Sequence, residues 1–247
     1  MRWKMKLVLM PFITVAVASA LHAQQGSKSP AAPKRDLTGV WMIRNPASMR
    51  AYAGATFTQE EPELTPWAQA KYKEARNSNN GQYTLETTND PVLTSCAPPG
   101  TPRVYFHPYP FEFIHTPKST VMLYEYDHVV RRIYTDGRPL AKDPDLSWMG
   151  TSVGRWEDDT TFVVETVGVN ERTWLDRLGH PHSDQLHLTE RFRRVDRDHL
   201  EIDFKIEDPK ALVKPWIATF YAELRPNWEL GEISCSGDYL QFNKFEK

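Results

Sequence analysis

The chain has 247 residues, and its 30 Lys and Arg against 32 Asp and Glu give a formal net charge of −2. Without a basic excess, a nucleic-acid partner is excluded, because binding a polyanion requires dense positive charge. The length left after any leader suits one large β domain or two small ones.

Taken from the N-terminus, Arg2, Lys4 and Lys6 precede an apolar stretch from Leu7 to Ala20, and small residues follow. That is the layout of a secretory signal, with cleavage expected after Ala23 and Ala20 as the alternative. The apolar run is shorter than the roughly 20 residues that span a bilayer, so no membrane association is expected after cleavage. Loss of residues 1–23 removes three positive charges and takes the formal net charge from −2 to −5. The expected location is periplasmic or secreted. Residues 24–35 are Ser, Pro, Ala, Gly, Gln, Lys and Arg and read as a flexible tether.

From Asp36 onward a single domain, 36–247, is expected. Gly39-Val40-Trp41 opens a short apolar strand. Thr65-Pro66-Trp67 supplies an N-cap and a proline for the first helical turn, and Ala68 to Arg76 continue as helix formers. That helix sits in a long connection over 60–103, whose later part is rich in Asn, Thr, Pro and Gly. Short alternating segments follow: 111–115, 121–126, 130–135, 152–156, 161–167, 185–193, 199–206 and 218–224, with a further candidate near 228–233. Asp136-Gly137 and Glu157-Asp158-Asp159 supply turns. The predicted fold is mainly β, an antiparallel barrel of about nine or ten strands with one or two short helices, since closure removes unpaired edges. The two cysteines, Cys96 and Cys235, are expected to form a disulfide in an oxidising compartment.

The stretch Asp36-Leu37-Thr38-Gly39-Val40-Trp41 resembles the first-strand signature of lipocalin-type (calycin) barrels, and Arg225 falls where such barrels place an Arg over the Trp. Tyr124-Glu125-Tyr126-Asp127-His128, Tyr134 to Pro139, Ser152 to Glu157, Arg172 to Arg177 and Gly179-His180-Pro181-His182 are similar to a large group of secreted bacterial proteins. The resemblance covers nearly the whole mature chain. It implies the lipocalin-like fold and supplies no reaction.

Candidate chemistry comes from polar residues on apolar faces. Glu125 alternates with Val121 and Leu123, Glu165 with Val163 and Val167, and Glu190 with Leu186, Leu188 and Phe192. A carboxylate so placed must find a cation or take up a proton. Arg131 falls opposite Glu125 if residues 127–129 form the hairpin turn. Structural ion pairing is the alternative for each glutamate. The loop 170–184 gathers Arg172, Trp174, Asp176, Arg177, His180 and His182 where a barrel mouth is expected. His180-Pro181-His182 has a spacing seen in metal sites, but Asp184, Gln185 and Leu186 do not supply the Glu a cupin needs; His187 or Asp176 could complete a different site, and the expectation is no cofactor. Gly150-Thr151-Ser152-Val153-Gly154 matches a serine-hydrolase motif that requires a strand-to-helix turn; a strand and a turn follow instead. His115, which shares a face with Phe111 and Phe113, joins the pocket.

These residues lead to one expectation: a barrel that holds a small, partly hydrophobic or aromatic molecule and acts on it by cofactor-free acid–base chemistry of lyase, isomerase or decarboxylase type. Glu190 or His182 would take the proton, Arg131 or Arg172 would hold an anionic group, and Tyr126 would donate a hydrogen bond. Asp176 completes the catalytic set, while His115, Glu125, Glu165 and Trp174 line the ligand. The alternatives are a non-catalytic carrier of a small hydrophobic ligand and a hydrolase acting through Ser152. Substrate identity and oligomeric state are left open.

Overall fold

A computed structural model describes residues 29–44, 55–78 and 82–235. The expected leader, 1–23, and the end of the domain beyond residue 235 lie outside the described residues. Nine strands close into a barrel in sequence order: β1 Gly39–Ile43, β2 Phe111–His115, β3 Ser119–Tyr124, β4 Val130–Tyr134, β5 Thr151–Trp156, β6 Thr161–Val167, β7 His187–Arg194, β8 His199–Glu207 and β9 Trp216–Leu224. Neighbours pair antiparallel, and β9 returns to β1 through Trp41 opposite Leu224. The exception is β4 with β5, which run parallel through Ile133 opposite Ser152 and Tyr134 opposite Val153. The chain crosses back over residues 135–150 before β5, so Asp136-Gly137 does not make a tight hairpin. The segment 228–233 adds no strand; Ile233 makes one isolated parallel bridge to Tyr126.

Helix α1 spans Pro66–Glu74, and the Thr65 side chain accepts from Ala68 N. Helix α2, Pro91–Thr94, is capped in the same way by Asp90, and a 3-10 turn follows over Arg103–Phe106. Residues 29–35 lie along the barrel. The Pro30 carbonyl accepts from Arg197 N, and Lys34 meets Asp159 at 2.8 Å.

Alternation along each strand sends one face inward. The interior carries Phe111 and Phe113 from β2, Phe162 and Val164 from β6, Phe192 from β7, Phe204 from β8 and Phe220 from β9. The connection between β1 and β2 adds Phe57, Tyr105 and Phe106. Phe57 meets the rings of Phe106 at 4.7 Å, Trp216 at 5.2 Å and Phe204 at 5.4 Å. Gly154 in β5 permits this density, because a Cβ there would stand 2.4 Å from the Phe162 ring. A cation does stack near Trp41, but it comes from the end of β7. Arg194 lies 5.0 Å from the Trp41 ring, while Arg225 stacks on Trp228.

Candidate functional site: two hollows at the barrel mouth

The three glutamates take three different places. Glu125 and Glu165 share faces with Val121, Leu123, Val163 and Val167 as expected, but these are outer faces. The inner face of β3 is Thr120, Met122 and Tyr124, and that of β6 is Phe162, Val164 and Thr166. Glu125 accepts from Gly231 N at 2.8 Å, and Glu165 pairs with Arg155 at 2.9 Å. Neither lines a ligand space. Arg131 stands opposite Met122 instead of Glu125, because the turn ends the ladder at Leu123 and Val130. Its side chain reaches across the interior to Glu190.

That pair is a closed core network. Both Oε atoms of Glu190 accept from the Arg131 guanidinium, one at 2.9 Å, and Tyr105 Oη donates to Glu190 Oε1 at 2.7 Å. Arg131 also donates to Thr166 Oγ1 at 2.7 Å and Ser152 Oγ at 3.2 Å. Burial opposes the Arg131 charge, but Glu190 outweighs it and holds the guanidinium protonated. With its partners filled and both groups 0–1% exposed, Glu190 is part of the fold and not a proton acceptor for a ligand. Ser152 is likewise a buried strand residue whose hydroxyl meets Thr166 at 2.9 Å, and β5 leads to β6 without the turn a nucleophile needs. His115 is structural too, since its Nε2 accepts from Leu37 N at 3.0 Å and its Nδ1 meets Thr120 at 2.9 Å.

Within the loop 170–184, Asp176 and His180 form a clamp. Asp176 Oδ2 lies 2.7 Å from His180 Nδ1, and Glu61 Oε2 lies 2.5 Å from Nε2. Asp176 Oδ1 also accepts from Leu178 N at 3.0 Å and Gly179 N at 3.1 Å, so its role is to shape the loop. Both ring nitrogens of His180 are taken, which removes the His-Pro-His pair as a metal chelate. Burial disfavours the imidazolium, yet the two carboxylates outweigh it and lift the His180 pKa from 6.5 to about 9. The raised folded-state pKa means the clamp contributes fully below pH 6.5 and loses its contribution between pH 6.5 and about 9. In urea unfolding across that range, His180→Gln should flatten a decline that the wild type shows; equal slopes would contradict the clamp.

Beside an open cleft of about 550 Å³ along Glu61 and Tyr72 and a shallower one of about 230 Å³ along Glu60 and Trp216, two hollows at this end carry residues singled out in the sequence. The larger, about 420 Å³, is lined by Trp67, Trp174, Lys71, Lys210, Glu171 and His182, with Thr173 and Asn89 among the rest. Lys210 Nζ lies 4.8 Å over the Trp67 ring. His182 is buried and faces the Ser183 carbonyl with Nδ1 at 3.1 Å. A carbonyl only accepts, so Nδ1 carries the proton and Nε2 keeps the lone pair. Burial lowers the His182 pKa and keeps the ring neutral. His182 and Trp174 thus meet as expected, while Arg172 is exposed and lines neither hollow.

The smaller hollow, about 270 Å³, has mainly apolar walls from Leu85, Leu93, Pro108 and Ile233. Tyr126 forms another wall, its ring stacked on His107 at 3.9 Å. Arg103 and Arg177 also line it, together with Asp90, whose Oδ1 caps α2 while Oδ2 binds Arg103 Nη2. Arg103 is 1% exposed, and its Nε and Nη1 have no hydrogen-bond partner among the described residues; the same holds for the covered His107 Nε2. Burial, then Arg103 and Arg177, push the His107 pKa down to about 3, and burial with Asp127 pushes Tyr126 up to about 12. Both rings are neutral at pH 7. Asn89 and Asp90, adjacent in sequence, line one hollow each, and the Arg103 guanidinium lies 5.3 Å from the Trp174 ring.

The C-terminal segment closes the smaller hollow. Asp127 N donates to the Ile233 carbonyl at 2.8 Å, Cys235 N donates to Asp127 Oδ1 at 3.2 Å, and Glu125 holds Gly231. Asp127 and His128 take left-handed φ of 53° and 50°, which turns the chain here. Cys235 forms the disulfide to Cys96 and also lines the hollow.

Arg103, His107 and Asp90 escaped the sequence expectation because they lie in or beside the long connection, where no periodicity marks a face. The detectable signal was the run Thr101 to Tyr109, which carries Arg, His and three aromatic residues between prolines. No helix among the described residues is long and apolar enough to cross a membrane. No protein-family model, curated protein or solved structure matches the chain, so its functional reading rests on the barrel and these two hollows.

Proposed function

We propose that this is an exported protein that binds a small, partly hydrophobic molecule in the hollow between Leu93, Arg103, His107 and Tyr126. The observation that carries this reading is the hollow itself, walled mainly by Leu93, Pro108, Ile233 and the Tyr126 ring, with the Arg103 side chain at its edge. Apolar walls with a few polar groups are the usual make-up of a small-molecule site. The volume is near the lower end of ligand cavities, roughly 300–1,000 Å³, which suits a single ring with a short substituent. The Cys96–Cys235 disulfide supports an oxidising location and hence export. Native mass spectrometry of the protein isolated from its own cells should show one equivalent of a small molecule, absent from a Leu93→Trp variant that fills the space. Equal adducts on both proteins would contradict the reading.

A second reading, acid–base catalysis, is favoured by the fixed tautomer of His182 in the larger hollow. Its neutral Nε2 can accept a proton while Lys71 or Lys210 holds an anionic group and the tryptophans flank a flat substrate. A native-cell extract analysed by mass spectrometry before and after incubation should contain a compound that the wild type consumes and His182→Gln spares. Identical consumption by both would remove His182 from the chemistry.

A further inference from the structure

Building on the binding reading for the smaller hollow, we infer that the segment 226–235 is a redox-operated strap: the Cys96–Cys235 bond holds it in place as one wall, and reduction by a dithiol lets it open and releases the bound molecule. Three consecutive residues, Ile233, Ser234 and Cys235, line the space. The bond carries them to Cys96, just beyond α2, and Leu93 of α2 forms another part of the lining. It is therefore a covalent tie between two walls of one hollow.

Little else retains the strap. Its sequence, from Pro226 through Asn227, Glu229, Gly231 and Glu232 to Cys235, has no alternation that could bury a face, and none of residues 226–235 is buried. Among the described residues its hydrogen bonds to the rest of the chain join it to Glu125 and Asp127, through Gly231 N at 2.8 Å, the Ile233 carbonyl at 2.8 Å and Cys235 N at 3.2 Å. Segments that bury so little open at a fraction of the free energy that unfolds a core. At the other end, Cys96 holds a left-handed φ of 49°, a conformation costly for a cysteine and one that recurs at clamps and switches. Breaking the bond frees it to relax. The strands β1 to β9 pair with one another and not with the strap, so the barrel stays closed when the strap leaves.

Both cysteines are only partly covered, which gives an external thiolate access to the bond in the folded protein. A dithiol thiolate attacks one sulfur and the S–S bond breaks; the second dithiol sulfur then displaces the mixed disulfide. The dithiol gives up two electrons and two protons and closes its own disulfide, while Cys96 and Cys235 become thiols. In an oxidising compartment the strap rests closed, and opening waits on delivery of a dithiol.

The full oxidised chain, isolated from its own cells, is treated with dithiothreitol at neutral pH without denaturant. Iodoacetamide should then label both cysteines, and amide exchange at Gly231 to Cys235 should quicken at least about tenfold while β6 to β8 stay protected. A bond that resists until urea unfolds the barrel, or unchanged exchange at 231–235, would overturn the inference. Native mass spectrometry before and after reduction reads the consequence: the adduct carried by the oxidised protein should be lost. An adduct that stays on after the strap has opened would overturn the release step and leave the binding reading standing. A strap that opens on a protein with no adduct in either state would overturn the binding reading, and release with it.

Discussion

Replacing Arg131 with Met should lower the unfolding free energy by about 3–5 kcal/mol, because it leaves the Glu190 carboxylate buried without its cation. The pair is 0–1% exposed, and Tyr105, Thr166 and Ser152 complete its hydrogen bonds. Removing one partner strands the other in the aromatic interior, where desolvation is most costly. Glu190→Met should be similarly harmful, for the reciprocal reason. The double variant is the informative control: with both charges gone and the volume roughly kept, much of the lost stability should return. Urea unfolding of the four proteins measures the coupling. Additive losses would contradict the network.

Breaking the Cys96–Cys235 disulfide should be the second large effect, a loss of about 2–5 kcal/mol. The bond joins positions 139 residues apart, so its absence lets the unfolded chain regain much of its freedom. The expected damage is also local. Cys235 anchors the segment that passes Asp127 and lines the smaller hollow, so reduction should loosen that wall while leaving β1 to β9 closed. A Cys96→Ser, Cys235→Ser protein measured by urea unfolding beside the oxidised wild type tests the loss. A difference below about 1 kcal/mol would show that the other contacts of residues 231–235 suffice.

Much of the architecture was legible because alternation and turn residues are local signals. Strands β2 and β6 run over the residues predicted for them, and α1 begins at the predicted Thr65-Pro66 cap. Register was less legible. Two left-handed residues, Asp127 and His128, place the β3–β4 turn over Tyr126 to Val129, which takes Glu125 out of the ladder and moves Arg131 opposite Met122. Alternation also separates two faces without saying which one is inside. Val121, Leu123 and Val163 made the outer faces of β3 and β6 look internal, whereas larger neighbours such as Tyr124 and Phe162 occupy the barrel.

The candidate site was legible in kind more than in residue. A cation, a neutral imidazole and a tyrosine do line one apolar hollow, but Tyr126 is joined there by Arg103 and His107 instead of Arg131 and Glu190. The reason is topological. Tyr105 and Phe106 from the β1–β2 connection fill the barrel's interior, so the smaller hollow lies at the mouth, lined partly by the same connection. The sequence loop 170–184 divides its residues between a structural clamp at Asp176 and His180 and the larger hollow at Trp174 and His182.

The central claim is that the hollow beside Arg103 is where this protein holds a small molecule. Amide and arginine Nε chemical shifts, followed by NMR while single-ring fragments of acidic, neutral and basic type are added, test it most directly. The account predicts saturable shifts confined to Leu93, Arg103, His107, Tyr126 and Ser234, lost in Leu93→Trp. Saturable shifts centred on Trp67, Trp174 and His182, with Arg103 unmoved, would contradict it.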